Sequence, residues 1–174
     1  MYLAEERCDV IQKNQQVLDY ETHRRISEYK KALAGWQKEQ NFCLFGTLTW
    51  KYKSGLNEAQ RKRALARFFN ALDRKIYKGK GIKRGKRIER LVFFEKGRSR
   101  ENLHAHFFCK SENLKQTKKI ILEAHRFWVN EVDDAAEIAI DTNSFGDDRH
   151  GYGIKEYWLD DNEQLLTQLC HLTH

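Results

Sequence analysis

His104 and His106 flank one small residue, Ala105, in the run Leu103-His-Ala-His-Phe-Phe-Cys109, which has the composition of a β-strand. Residues i and i+2 of a strand face the same side, so the two imidazoles share one sheet face while Leu103 and Ala105 turn to the other. Paired imidazoles are metal ligands by type. Glu95 ends the preceding strand, just past the apolar quartet Leu91-Val-Phe-Phe94, where a carboxylate is costly without a partner. If the two strands pair as a hairpin across residues 96–102, Glu95 comes opposite His104 and supplies a third ligand. Two nitrogens and a carboxylate leave positions for water or a phosphate oxygen, and the histidines shift the expected divalent ion from Mg²⁺ toward Mn²⁺. A zinc site using Cys109 does not fit, because strand parity sends that thiol to the opposite face. Further along, Tyr152 and Lys155 stand i, i+3 on an expected helix and share a face, with Glu156 close to it. A tyrosine hydroxyl, with a pKa of about 10, is a weak nucleophile at neutral pH. A metal that polarises a phosphate, together with a nearby ammonium, would help it attack.

These residues need a scaffold, and the hydrophobic pattern supplies one. Residues 4–39 read as one long helix with charges of both signs between Val10, Leu18, Ile26 and Leu33. We divide the chain into an N-terminal helical extension, 1–40, and a domain, 41–174. Phe42–Trp50 is a β-rich run. Asn57 caps a helix from Glu58 to about Tyr77. A loop with three glycines follows over 78–86, then strands at 88–95 and 103–109. Asn113 caps a helix from Leu114 to about Val132, and 135–141 is a further strand. A loop at 143–151 leads to a last helix, from about Tyr152 to Leu172. After the N-terminal helix the order is β-α-β-β-α-β. This predicts an α+β, ferredoxin-like split βαβ fold, an antiparallel sheet with helices on one face and its first and third strands side by side at the centre.

The net charge of +7 is unevenly spread. Residues 1–40 are neutral, residues 41–132 carry a net +15, and residues 133–174 a net −8. A middle section that basic points to a polyanion. Eight of its basic residues fall in Arg74–Arg87, among them Lys80, Lys83, Arg84, Lys86 and Arg87, in a stretch suited to gripping phosphates. Lys51 and Lys53 extend this surface, and Trp50 and Tyr52 are candidates for stacking on bases. The four cysteines form no CxxC pair and are expected to be reduced thiols of a cytosolic protein. No apolar run is long enough for a membrane span, and no secretory signal is visible.

Taken in order, Phe45-Gly-Thr-Leu-Thr49, Glu95 nine residues ahead of His104, His104-Ala-His106 and Tyr152-Gly-Ile-Lys155 resemble the HUH endonuclease superfamily, most closely its single-tyrosine rolling-circle replication initiators. The resemblance covers roughly residues 42–158. It implies a divalent metal, Mn²⁺ or Mg²⁺, on His104, His106 and Glu95. It also implies attack by Tyr152 on single-stranded DNA at an origin or hairpin, assisted by Lys155, leaving a 5′-phosphotyrosyl enzyme and a free 3′-hydroxyl. Such a protein would nick and rejoin DNA in the cytoplasm, or in the nucleus of a eukaryotic host. No GxxxxGK[ST] stretch is present, so the expectation is either reliance on host partners, a helicase and a polymerase, or an isolated nuclease domain. A relaxase or transposase of the same chemistry stays open at this point. So does a non-catalytic nucleic-acid-binding module, which would carry exposed aromatics on its central strands.

Overall fold

The computed structural model describes residues 2–95, 103–142 and 165–172, with the backbone alone over 2–19. Helix α1 spans Tyr2–Glu39. It is followed by β1 (Leu44–Trp50), α2 (Glu58–Lys83), β2 (Arg90–Glu95), β3 (His104–Cys109), α3 (Leu114–Glu131) and β4 (Ala135–Asp141). The strands form one antiparallel sheet in the order β2-β3-β1-β4. This is the expected α+β, ferredoxin-like arrangement, with β1 and β3 central. Among the described residues, no helix is long and apolar enough to cross a membrane.

Period-two alternation gives the sheet two faces. On one, Leu44, Leu48 and Trp50 of β1, Val92 and Phe94 of β2, and Ala105 and Phe107 of β3 pack with Leu65, Phe68 and Phe69 of α2 and Ile120, Ala124 and Trp128 of α3. Gly46 belongs to this face for a steric reason: a Cβ there would overlap the ring of Phe107, its cross-strand partner. Both helices begin where expected. Asn57 and Gln60 close a reciprocal capping box, and Asn113 accepts from the Gln116 N–H.

The other face holds Phe42, Leu91, Phe93 and Phe108, covered by Leu33 and Trp36 of α1 and by Leu165, Cys170 and Leu172. The chain reverses from α1 into β1 at Asn41, whose φ of 55° is a left-handed conformation that asparagine tolerates. Leu33 and Trp36 near the C-terminal end of α1 therefore pack on this face of the sheet.

Two expected boundaries change. Helix α2 does not stop at Tyr77: the backbone breaks at Lys78 (φ 56°, ψ 178°) and resumes helical geometry to Lys83, so much of the expected glycine loop is a short helical tip. The expected last helix does not reach Leu172. Leu165 bridges Phe93, residues Thr167–Leu169 form a 3-10 turn, and His171 bridges Arg90. The cause is the free edge of β2. Leu166 N–H donates to the Val92 carbonyl at 2.8 Å, and Arg90 and His171 exchange two backbone bonds at 2.7 and 2.9 Å. An extended segment there sends Leu166 and Leu169 to the helix-covered face and Leu165 and Cys170 to the other, while protecting an edge that would otherwise invite pairing with other chains.

Candidate metal centre

The hairpin register puts Glu95 opposite His104 and Phe93 opposite His106. On the other side of β3, Thr47 of β1 stands opposite His106 and Thr49 opposite His104. The expected third ligand is thus in place. Glu95 Oε2 lies 3.0 Å from His104 Nε2 and 3.5 Å from His106 Nε2. The imidazole rings are 4.9 Å apart, edge to face. Glu95 and His106 are buried, and His104 keeps a small exposed surface.

The donor set fits a metal ion. One ligand atom from each of the three residues lies within 4.8 Å of the others. The two nitrogen–oxygen separations match the edges of a coordination polyhedron whose bonds are about 2.1 Å long. Around it the side chains are held. Thr47 Oγ1 lies 3.0 Å from His106 Nδ1. When Nδ1 donates that bond, the Nε2 lone pair is left pointing at Glu95, the tautomer a metal requires. Phe45 stacks on the His106 ring with the centroids 5.5 Å apart.

No family model, curated protein or solved structure matches this chain. The functional reading therefore rests on the site itself.

The two threonines of Thr47-Leu48-Thr49 divide their work. Thr47 holds His106. Thr49 Oγ1 accepts from Glu137 N–H at 3.1 Å and donates to the Glu137 carbonyl at 3.2 Å, stitching β4 to β1 where their register shifts. Thr47 could have been assigned to His106 from the sequence, since parity puts both on one face of neighbouring strands.

The other expected residues separate into groups. Lys51 and Lys53 are exposed just past the end of β1 that carries Thr49, at the same end of the sheet as the triad. Tyr52 between them is 64% exposed. Trp50 is a correction: it is 4% exposed, packed edge-on against Trp128 at 5.0 Å, and so is core rather than a platform for bases. Lys80, Lys83, Arg84 and Lys86 are exposed on the tip of α2, with Arg87 half-buried beside them. That tip leads into the Arg90 end of β2, a strand length of about 17 Å from Glu95, so the structure does not bring it to the triad. Tyr152, Lys155 and Glu156 lie outside the described residues.

Sequence reasoning missed Lys30. Among the described side chains of α1, Ile26, Lys30, Leu33, Ala34, Trp36 and Gln37 lose solvent exposure, the spacing of a packed helix face. Burial holds the Lys30 ammonium below the ordinary lysine range, and the charge of Glu95 opposes that shift.

Proposed function

We propose that the chain is a metal-dependent nuclease that nicks and rejoins single-stranded DNA through a covalent tyrosine link, as the likeness to HUH endonucleases implies. The observation that carries this reading is the convergence of Glu95, His104 and His106 on one buried point of a central strand. Glu95, His104 and His106 would hold the ion, and the two nitrogen ligands favour Mn²⁺ over Mg²⁺. A divalent ion bound there polarises a phosphodiester and offsets the charge that builds on its oxygens.

The chain's own residues supply the rest. Tyr152 attacks phosphorus, the bond from phosphorus to the 3′-oxygen breaks, and the leaving oxygen takes up a proton as a 3′-hydroxyl. The 5′-phosphate stays on the tyrosine until a 3′-hydroxyl attacks it and the strand is rejoined. Lys155 stabilises the tyrosine as it loses its proton. Lys51, Lys53 and Tyr52, at the triad's end of the sheet, would meet the DNA backbone and a base.

The alternative of a non-catalytic binding sheet is disfavoured by a specific observation. Phe93 and Phe108, on the face such a module would use, are fully buried beneath α1 and the C-terminal segment. The same chemistry also serves relaxases and transposases, and the replication-initiator role, with a host helicase and polymerase as partners, is the form of it we propose.

The test is a labelled pool of single-stranded oligonucleotides incubated with the protein and Mn²⁺. Cleavage that stops with EDTA and is lost in His106→Ala is the expected result. Cleavage unchanged by both would remove the metal centre from the mechanism.

A further inference from the structure

We propose that a cleft between α2 and the α3–β4 turn holds the phosphodiester backbone of single-stranded DNA beside the nicked position; the nick itself rests on the function proposed above. The cleft has a volume of about 510 Å³ and is lined by Leu56, Gln60, Arg63, Arg67 and Asn70, with Asp133 from the turn. Arg63, Arg67 and Asn70 stand i, i+4 and i+7 on α2, so they form one row, and all three are exposed. Two guanidiniums therefore meet one carboxylate there. Arg67 and Asp133 are 4.0 Å apart with side chains 64% and 80% exposed, so the pair neutralises little. Arg61 adds a charge next to the same wall, beside Gln60 in the chain and one turn before Ala64, which also lines the cleft. It is buried over the Trp50 ring at 5.6 Å, and its Nη2 donates to the Ser54 carbonyl at 3.5 Å. Its Nε and Nη1 have no partner among the described residues. A buried cation with unspent donors raises the positive potential of the neighbouring surface.

The cleft is linked to the end of the sheet that carries the triad. Thr49 stands opposite His104, and two residues on, the Lys51 N–H donates to the Asp134 carbonyl at 2.8 Å. Ser54 Oγ donates to Asp134 Oδ2 at 2.9 Å, and the N–H of Leu56, a cleft residue, donates to Ser54 Oγ at 3.2 Å. The exposed Lys51, Tyr52 and Lys53 thus join the histidine end of the sheet to the cleft. The chemistry of the occupant follows from the lining. Each guanidinium offers a planar fork of N–H donors that matches phosphate oxygens, and the Gln60 and Asn70 amides supply further donors. The row on α2 continues the basic surface of the Lys51–Lys53 turn, as a backbone carrying one charge per nucleotide requires.

The experiment measures binding of a fluorescein-labelled oligothymidylate to the full chain by anisotropy, in EDTA so that no cleavage intervenes, across a salt series. In Arg63→Gln/Arg67→Gln the Kd near 0.1 M salt is expected to rise about fivefold for each arginine, and the salt slope to fall by about 0.7 for each. Asp133→Asn should tighten binding about two- to fivefold, the worth of one exposed charge pair. Lys115→Gln/Lys118→Gln makes the same change of net charge at the start of α3 and should keep the parent's Kd and slope. All of these positions are exposed, so the fold is kept. The proposal is overturned if the arginine variant binds like the parent chain, or if the lysine variant weakens binding as much, which would make net charge the cause. Poly-glutamate that competes as well as the DNA would put an acidic protein in the cleft and overturn it too. Mn²⁺-dependent cleavage by the parent chain, with no arginine effect on binding, removes this proposal alone. The arginine effect without any cleavage removes the nuclease reading and leaves a DNA-binding cleft.

Discussion

At the scale of single residues, the centre depends on how His106 is held as much as on its being a histidine. Its Nδ1 is engaged by Thr47, its ring lies against Phe45, and only Nε2 faces Glu95. Thr47→Val removes the hydroxyl and keeps the shape. Calorimetric titration with Mn²⁺ should show affinity lower by about 10- to 100-fold, the usual cost of losing a ligand's outer partner, with thermal stability little changed. An unchanged affinity would mean that Thr47 merely fills space. The ligands themselves were legible from the chain because two rules suffice: strand parity pairs the histidines, and a short hairpin sets Glu95 against the first of them. Lys30 was not legible, because a lysine on a helix looks solvated until the helix is known to cover a sheet. Trp50 was misread although parity was available, for it shares its face with Leu44 and Leu48.

Among the elements, α2, β2 and the C-terminal segment are joined by one buried knot. Asp73 accepts from Arg90 Nη1 through both carboxylate oxygens, at 2.9 and 3.0 Å, and from the Ile88 N–H at 2.9 Å. Arg90 Nε donates in turn to the Leu169 carbonyl at 2.9 Å, and its guanidinium lies over Phe69. Both charged side chains are buried, Asp73 at 1% and Arg90 at 6% exposure. Asp73→Ala would strand that guanidinium, and urea unfolding should register a loss of about 3–5 kcal/mol. By comparison, Glu58→Ala, which breaks the more exposed Lys62 pair, should cost less than about 1 kcal/mol. A small effect at Asp73 would mean that the knot does not fix the edge of the sheet. Helix starts and strand order could be read in advance from caps and alternation. The C-terminal segment could not, because Leu165, Leu166, Leu169 and Cys170 have spacings a helix would also satisfy. Only the unpaired edge of β2 decides for an extended form.

Among the described residues, the basic tip of α2 is set apart from the triad. The basic tip of α2 lies at one end of the sheet and the triad at the other, so the tip should set affinity for a polyanion without setting the rate of cleavage. Replacing Lys80, Lys83, Arg84 and Lys86 with glutamine should lower the salt dependence of single-strand binding by about 0.7 in slope for each phosphate no longer neutralised. Cleavage at saturating DNA should stay the same. A fall in that saturated rate would place the tip nearer the chemistry than the fold allows. In the proposed function, one tyrosine takes the phosphate beside the Glu95–His104–His106 centre. Intact-mass spectrometry after incubation with Mn²⁺ and single-stranded oligonucleotides tests it most directly. The expected result is a nucleotide adduct that maps to Tyr152 and is absent from both Tyr152→Phe and His106→Ala. No adduct with any sequence in the pool, or one that persists in either variant, would contradict it.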